Sequence, residues 1–350
     1  MIDKLYNNNN LPKEELGQLI KDNLKGIDPK LLKLARKTRE NYYGNKVFFR
    51  GLIEISNHCK NNCLYCGIRG ANLKIDRYRL NKENILACCR KGYDMGFRTF
   101  VLQGGEDGYY SDDRVADIID SIKNEYPDCA LTLSLGEKPY KTYKKYYQAG
   151  ADRYLLRHES ATDSHYERLH PKGMEFNSRK QCLYDLKEIG FQVGAGFMVG
   201  SPYQTIDNLV NDLLFLKELE PHMVGIGPFI PHKDTRFAAK EAGGLEDTIV
   251  MIALTRLLLP KSLLPATTAL ATIDSMGREK ALNAGANVVM PNLSPGEVRE
   301  YYSLYDNKRS TGDESANHIE DIRCRIKEAG YTPDFSRGDY HNFNIKGGVR

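Results

Sequence analysis

Three cysteines fall within eight residues: Cys59, Cys63 and Cys66, in the segment SNHCKNNCLYCGIRG. Thiolates at the spacing C-x3-C-x2-C, on a polar loop containing Asn and Gly, can wrap one metal centre and leave a coordination position free. Catalytic zinc uses such an opening. An iron–sulfur cluster in which one iron lacks a cysteine uses it too. Three unrelated thiols would be the bland alternative, but spacing, loop composition and position after a strand agree on a metal centre. Cys88, Cys89, Cys129, Cys182 and Cys324 are scattered and read as core or surface filler.

A second set of residues could hold an organic ligand. In VLQGGED, Gly104 and Gly105 allow close backbone approach, and Glu106 can pair with an ammonium. In YLLRHES, Arg157, His158 and Glu159 put polar heads at one strand end, with His158 the more structural of them. Arg179, opening the next helix, could fork onto a carboxylate. A surface ion pair would explain Glu159 and Arg179 as well. Thr132 and Ser134 alternate with Leu in TLTLSLG, as inward hydroxyls or as one wet strand face. Thr267 and Thr268 could donate adjacent hydroxyls to an anion, or be ordinary β-branched strand residues. Arg50 lies inside an apolar strand, and an inward arginine there needs an anion. Gly194, Gly196, Gly200, Gly225 and Gly227 read as close-packing points around a ligand.

The elements that must position these residues alternate apolar runs with amphipathic stretches. The pattern predicts eight strands, at Val47–Ser56, Thr99–Gln103, Ala130–Leu135, Arg153–Arg157, Gln192–Val199, Met223–Phe229, Leu264–Leu270 and Asn287–Met290. Helices are predicted at Lys82–Met95, Arg114–Glu125, Tyr140–Ala149, Ser178–Ile189, Thr205–Leu219 and Glu246–Leu259. Gly96, Gly150 and Gly190 fit helix C-caps feeding the next strand. Two further helices precede the first strand, Pro12–Leu24 and Pro29–Tyr43, with Asn7 to Asn10 a loop or frayed end. Eight βα units imply an α/β fold, a complete (β/α)8 barrel of the TIM type. An open doubly wound sheet is the alternative, weakened in its dinucleotide form because no G-x-G-x-x-G follows the first strand. The expected organisation is one structural domain: helices over 1–45, the barrel over 46–305, and a short C-terminal helical extension over 306–350. In such a barrel chemistry gathers at the C-terminal strand ends. Cys59, Gly104–Glu106, Ser134, Arg157–Glu159, Met198 and Thr267–Thr268 all fall there.

The composition excludes several classes. A chain of 350 residues with 41% hydrophobic and 27% charged residues is neither disordered nor fibrous. A net charge of +4, dispersed along the chain, argues against nucleic acid. No apolar run predicts a transmembrane helix, and MIDKLYNNNN lacks the apolar core of a signal peptide. The expected compartment is the cytoplasm, where thiols stay reduced. No P-loop and no Ser/His/Asp grouping supports NTP hydrolysis or serine chemistry.

The cysteine motif, with Tyr65 just before its last cysteine, resembles that of the radical S-adenosylmethionine (SAM) enzymes. That resemblance implies a 4Fe-4S cluster on Cys59, Cys63 and Cys66, with the amino and carboxylate groups of SAM on the fourth iron. It implies reductive cleavage of SAM to a 5′-deoxyadenosyl radical. The segments LQGGEDGYY, LTLSLGEKP, DRYLLRHES, GAGFMVG, MVGIGPFIPH, PATTALATI and GANVVMPNLSP narrow it, over about Asn41 to Tyr305, to the radical-SAM maturases of FeFe-hydrogenase. Methylornithine synthase and, further off, biotin synthase are similar. By this resemblance Tyr65, Gly104, Gly105, Glu106, Ser134, Glu159, Arg179 and Met198 match SAM-binding positions. Arg50, Gln103, Thr132, Arg157, Thr267, Thr268 and Met290 match the wall of a substrate cavity. The implied substrate is an organometallic small molecule, an iron–cysteine complex carrying CO and cyanide. The implied partners are a tyrosine-cleaving radical-SAM maturase, a GTPase scaffold maturase, and a reductant such as ferredoxin or flavodoxin. Some members carry three more cysteines near the C-terminus for an auxiliary cluster. Here SLYDNKRSTGDESANHIEDIRC offers only Cys324, so one cluster per chain is expected. A radical-SAM mutase or synthase acting on a free amino acid is the first rival. A zinc-binding barrel with structural cysteines is the second.

Overall fold

The computed structural model describes residues 1–308 and 315–343. Its strands are β1 (Lys46–Phe49), β2 (Gly51–Ser56), β3 (Thr99–Gly104), β4 (Ala130–Ser134), β5 (Arg153–Leu155), β6 (Gln192–Ala195), β7 (Met198–Val199), β8 (Met223–Val224), β9 (Gly227–Pro228), β10 (Val288–Val289) and β11 (Thr332–Asp334). Six of them form one parallel sheet in the order β2-β3-β4-β5-β6-β8. Every residue of β2 is buried, the signature of a parallel strand covered on both faces. Register aligns Glu54 with Gln103 and Gln103 with Ser134, so these polar side chains share one level.

The backbone ladder does not stop at β8. Isolated bridges join Met223 to Leu263 and Pro265 to Val288. β10 then pairs in parallel with β1, which continues into β2 through Arg50.

Between the strands run α4 (Lys82–Asp94), α5 (Asp112–Glu125), α6 (Tyr140–Gln148), α7 (Asp163–Leu169), α8 (Phe176–Ile189), α9 (Ile206–Leu219), α10 (Leu245–Leu258), α11 (Thr268–Ile273) and α12 (Gly277–Asn283). Before them lie α1 (Ile2–Asn8), α2 (Lys13–Asn23) and α3 (Pro29–Tyr43); α13 (Ile319–Glu328) follows. α3 begins as its sequence predicts: the Asp28 side chain accepts from Lys30 N, with Pro29 in the first turn. α10 is buried from Thr248 to Leu258, because α3 packs on it from outside. Gly190 closes α8 with φ of 108°, the left-handed C-cap expected of it. Among the described residues no helix is long and apolar enough to cross a membrane.

Four expectations need correction. The stave predicted at Leu264–Leu270 is not a strand: it makes one bridge, at Pro265, with another just before it at Leu263, and its second half is α11. Pro265 offers no N–H, and the Ala-containing run after it winds into a helix. Thr268 therefore opens a helix rather than ending a strand. The long strands predicted at Gln192–Val199 and Met223–Phe229 each break in two, at Gly196–Phe197 and at Gly225–Ile226. Gly196 and Gly225 face one another there; a Cβ on Gly196 would lie 2.0 Å from the Gly225 carbonyl oxygen. That pair is packed backbone against backbone. Finally, the C-terminal extension expected to be helical also contributes a strand, since β11 pairs with β1. α1, α7 and α12 are short helices the periodicity did not predict.

Candidate active site

The cysteine loop leaves β2 and is tied down along its length. Ser56 Oγ donates to Asp107 Oδ2 at 2.7 Å, and Arg79 forks onto the same carboxylate at 2.7 and 3.0 Å. Asn57 donates to the carbonyls of Asp76 and Tyr301, both at 2.7 Å. Lys60 N bonds Glu106 O, Leu64 N bonds Leu169 O, and Gly67 N bonds Leu304 O. Gly105 has no side chain because this loop fills the space: a Cβ would come 2.2 Å from His58 O and 2.7 Å from Cys59 Cβ. The glycine pair of VLQGGED thus serves close approach of the cysteine loop.

Cys59, Cys63 and Cys66 are half-buried free thiols. Burial pushes the Cys63 thiol up to about 12 and raises Cys59 and Cys66 as well. Their protons leave only against incoming positive charge, the condition a metal centre supplies. Among the described residues no three Cys, His, Asp or Glu side chains converge as ligands of one ion. Three thiolates on one loop, with a coordination position left free, fit the donor needs of a 4Fe-4S cluster held through three of its irons.

Around the loop lie the residues expected to hold an organic cofactor. Glu106 is buried; one oxygen accepts from Glu137 N at 3.0 Å and the other pairs with Lys60 at 3.2 Å. An ammonium does meet this carboxylate, and it is the chain's own. Arg179 is buried against Glu137, at 2.9 Å from Nε, and donates to the Arg157 carbonyl at 3.0 Å. Glu159 has φ of 64°, a left-handed conformation costly for a non-glycine residue. It is held by a bond from its N–H to Gly196 O. Behind it His158, fully buried, stands 3.4 Å from Asp212 and accepts from Gly196 N, which makes it structural. Ser134 ends β4, half-buried. Met198 and Tyr65 join Leu64, Leu169, Phe229 and Phe237 in an apolar patch beside the last cysteine. The Tyr65 hydroxyl lies 3.4 Å from His170 Nε2.

Below this level the interior is polar and unsatisfied. Arg50 Nε, Thr132 Oγ1, Arg157 Nε, Glu159 Oε2 and Thr267 Oγ1 are buried without a hydrogen-bond partner. Arg50 reaches Met223 Sδ at 3.0 Å and Gly338 O at 3.2 Å, while Arg157 lies 3.1 Å from Glu159. Small residues face these groups: Cβ atoms on Gly225 and Gly227 would approach Arg157 Cδ to 3.9 Å and Thr267 Oγ1 to 3.1 Å. Buried polar groups left without a partner are costly unless a ligand or water meets them. Thr268 has no such orphan; its carbonyl accepts from Thr272 within α11. Met290 sits lower, with Phe48, Met223, Leu263 and Val288.

One consequence is measurable in the free protein. Thr132→Val removes a hydroxyl that bonds nothing in the fold while keeping the shape. The expected change in unfolding free energy is neutral to about 1 kcal/mol stabilising. A loss above about 2 kcal/mol by urea titration would mean the hydroxyl is satisfied internally.

Sequence reasoning missed several residues here. Tyr302, buried, accepts from Gln103 Nε2 at 3.3 Å. Glu54, fully buried, pairs with Lys308 and accepts from Asn292 at 2.9 Å. Glu54 carried a signal, as the lone acid in GLIEIS. Tyr302 carried none among 22 tyrosines.

A parallel sheet with three free thiols on the loop after β2, and polar groups lining its interior, defines a class. The chain belongs to the radical SAM superfamily: residues 53–216 match the model of that superfamily. It is a radical SAM enzyme. It is 48% identical over 321 residues to the FeFe-hydrogenase maturase subunit HydE of Thermotoga maritima, covering 92% of this chain and 91% of that protein. The 3-methylornithine synthase of Methanosarcina acetivorans is 33% identical over 309 residues, 87% of this chain and 85% of that one. Among solved structures, methylornithine synthase (PylB) superposes with a TM-score of 0.82 at 28% identity, covering 95% of this chain and 97% of its own.

Proposed function

We propose that this chain is a maturase of FeFe-hydrogenase, acting on an iron–cysteine complex that carries CO and cyanide. The observation that carries this reading is the 48% identity over 92% of the chain. The ladder that runs from β8 through two bridges and β10 back to β1 supports a complete (β/α)8 barrel. We read 1–45 as helices packed on it and 306–350 as an extension of the same domain, in a cytoplasmic protein.

In this reading Cys59, Cys63 and Cys66 hold one 4Fe-4S cluster. Cys324, exposed and the only cysteine after Cys182, cannot hold a second. A bound cluster would supply the one electron that cleaves SAM into methionine and a 5′-deoxyadenosyl radical. The chain's own residues do the rest. Glu159, fixed in its left-handed turn, accepts from the ribose hydroxyls, with Ser134 beside it. Arg179 and Glu106 exchange partners: Glu137 and Lys60 yield to the carboxylate and the ammonium of SAM. Tyr65 and Met198 offer the apolar patch to the adenine. Arg50, Gln103, Thr132, Arg157 and Thr267 present donors to the anionic substrate, and Thr268 and Met290 border it. The buried interior keeps water from the radical. A tyrosine-cleaving radical-SAM maturase would supply the substrate, a GTPase scaffold would receive the product, and ferredoxin or flavodoxin would supply the electron.

The test is anaerobic. Cluster-loaded, reduced protein receives SAM and either the iron–cysteine complex or a panel of free amino acids. Faster 5′-deoxyadenosine release with the iron complex alone is expected. Release driven instead by an amino acid would move the protein to the methylornithine synthase side. No release from fully loaded protein would refute both.

A further inference from the structure

The cysteine loop closes around one guanidinium. Arg77 NH1 donates to the carbonyls of Asn57 and Ile68, the latter at 2.8 Å. Its NH2 donates to Arg69 O at 2.7 Å and Asn72 O at 2.9 Å. One acceptor precedes the cysteines and three follow them, so the four bonds draw the two ends of the loop onto one planar group. No ordinary turn does this across so many residues. Lysine, with three donors on one nitrogen, cannot span it.

The charge of Arg77 is also unusual. Its neighbour Arg79 is forked onto Asp107. Arg77 is half-buried, which disfavours its charge, and among the described residues no carboxylate pairs with it; the groups whose negative charge would favour its cation are Cys59 and Cys66. A partly buried cation without a counter-ion lowers stability unless an anion arrives. Three thiolates on an iron–sulfur core are anionic, and one-electron reduction makes them more so.

We propose that Arg77 is a positioning residue for the cluster: it shapes the cysteine loop to receive iron, and its charge favours the reduced cluster. This rests on the 4Fe-4S reading above. The loop carbonyls hold the guanidinium in place, so its field acts on the sulfurs without touching them, and outer partners of this kind tune both affinity and potential.

Wild type, Arg77→Met and Arg77→Lys would be loaded anaerobically with iron and sulfide, then challenged with a chelator. Their cluster reduction potentials would be read by redox titration followed by electron paramagnetic resonance. Arg77→Met is expected to retain iron about 10- to 100-fold less well and to shift the potential to more negative values. Arg77→Lys is expected to recover the potential and not the retention. Retention and potential both equal to wild type in Arg77→Met would overturn the proposal. Weaker retention at an unchanged potential would overturn its electrostatic half. If Arg77→Met fails to fold by circular dichroism, Arg77→Lys decides: wild-type retention in that variant overturns the positioning role. A wild-type chain that takes up no cluster would fail the 4Fe-4S reading itself, a different result.

Discussion

Cys63→Ala is expected to leave a folded chain that releases no 5′-deoxyadenosine above background. The thiol is half-buried on a loop whose backbone is tied by Ser56, Asn57, Lys60 and Leu64, none of which needs its sulfur. Removing it costs the fold about 1 kcal/mol or less. Removing it from the donor set leaves two cysteines, with no fourth protein thiol in the loop to substitute. The cluster then has too few anchors, and the electron has no route to SAM. The measurement pairs anaerobic chromatography of the nucleoside with thermal unfolding of the metal-free protein. Wild-type turnover by the variant would remove the three cysteines from the chemistry altogether. A collapsed unfolding midpoint would recast them as structural.

What the sequence made legible, and what it hid, follows from the range of the interactions. The cysteine motif is local, and so is its chemistry. Strand ends are partly legible too, because period and glycine caps locate them: Gln103 and Ser134 stand at strand ends as the pattern predicted, whereas β5 stops at Leu155 and leaves Glu159 in a turn beyond it. Pairings across the fold are not. Glu54 meets Lys308 at 254 positions' separation, and Asp152 meets Arg337 at 185. Periodicity says which face a residue occupies, never which distant residue meets it there. The same reason explains Arg179 and Glu106, whose type and position were foreseen while their resting partners, Glu137 and Lys60, were not. Thr268 was misplaced for a different cause. The threonines of PATTALATI favour strand while its alanines favour helix, and Pro265 tips the segment after it. β11 was hidden because three residues carry no readable period.

The C-terminal segment offers the sharpest energetic test of the fold. Arg153, with no exposed surface, donates to Asp339 Oδ1 at 2.6 Å and to Arg337 O at 2.7 Å. Asp339 also accepts from Gln192 at 2.7 Å and from Arg337 at 3.0 Å, and Arg337 reaches Asp152 at 2.9 Å. Residues 337–341 are thereby strapped beneath the strands, with Gly338 O on Arg50 and His341 N on the Tyr43 hydroxyl. Asp339→Ala strands the Arg153 charge in the interior, and breaking one side of such a pair costs about 3–5 kcal/mol. Burial pushes the Asp339 carboxyl up, but Arg153, Arg337 and Gln192 more than offset it and hold it well below the usual carboxylate range. A depressed folded value means the stabilisation is fully present above the unfolded pKa of about 3.9 and is lost as pH falls below it. The gap between wild type and Asp339→Ala should therefore stay flat from neutral pH down to about pH 5 and narrow in stronger acid. Denaturant titrations at pH 7 and in acid read both effects. A gap under about 1 kcal/mol at pH 7 would mean that Arg153 finds another acceptor. The strap would then be covering the strands without holding them, and Arg50 would keep its buried place without Gly338.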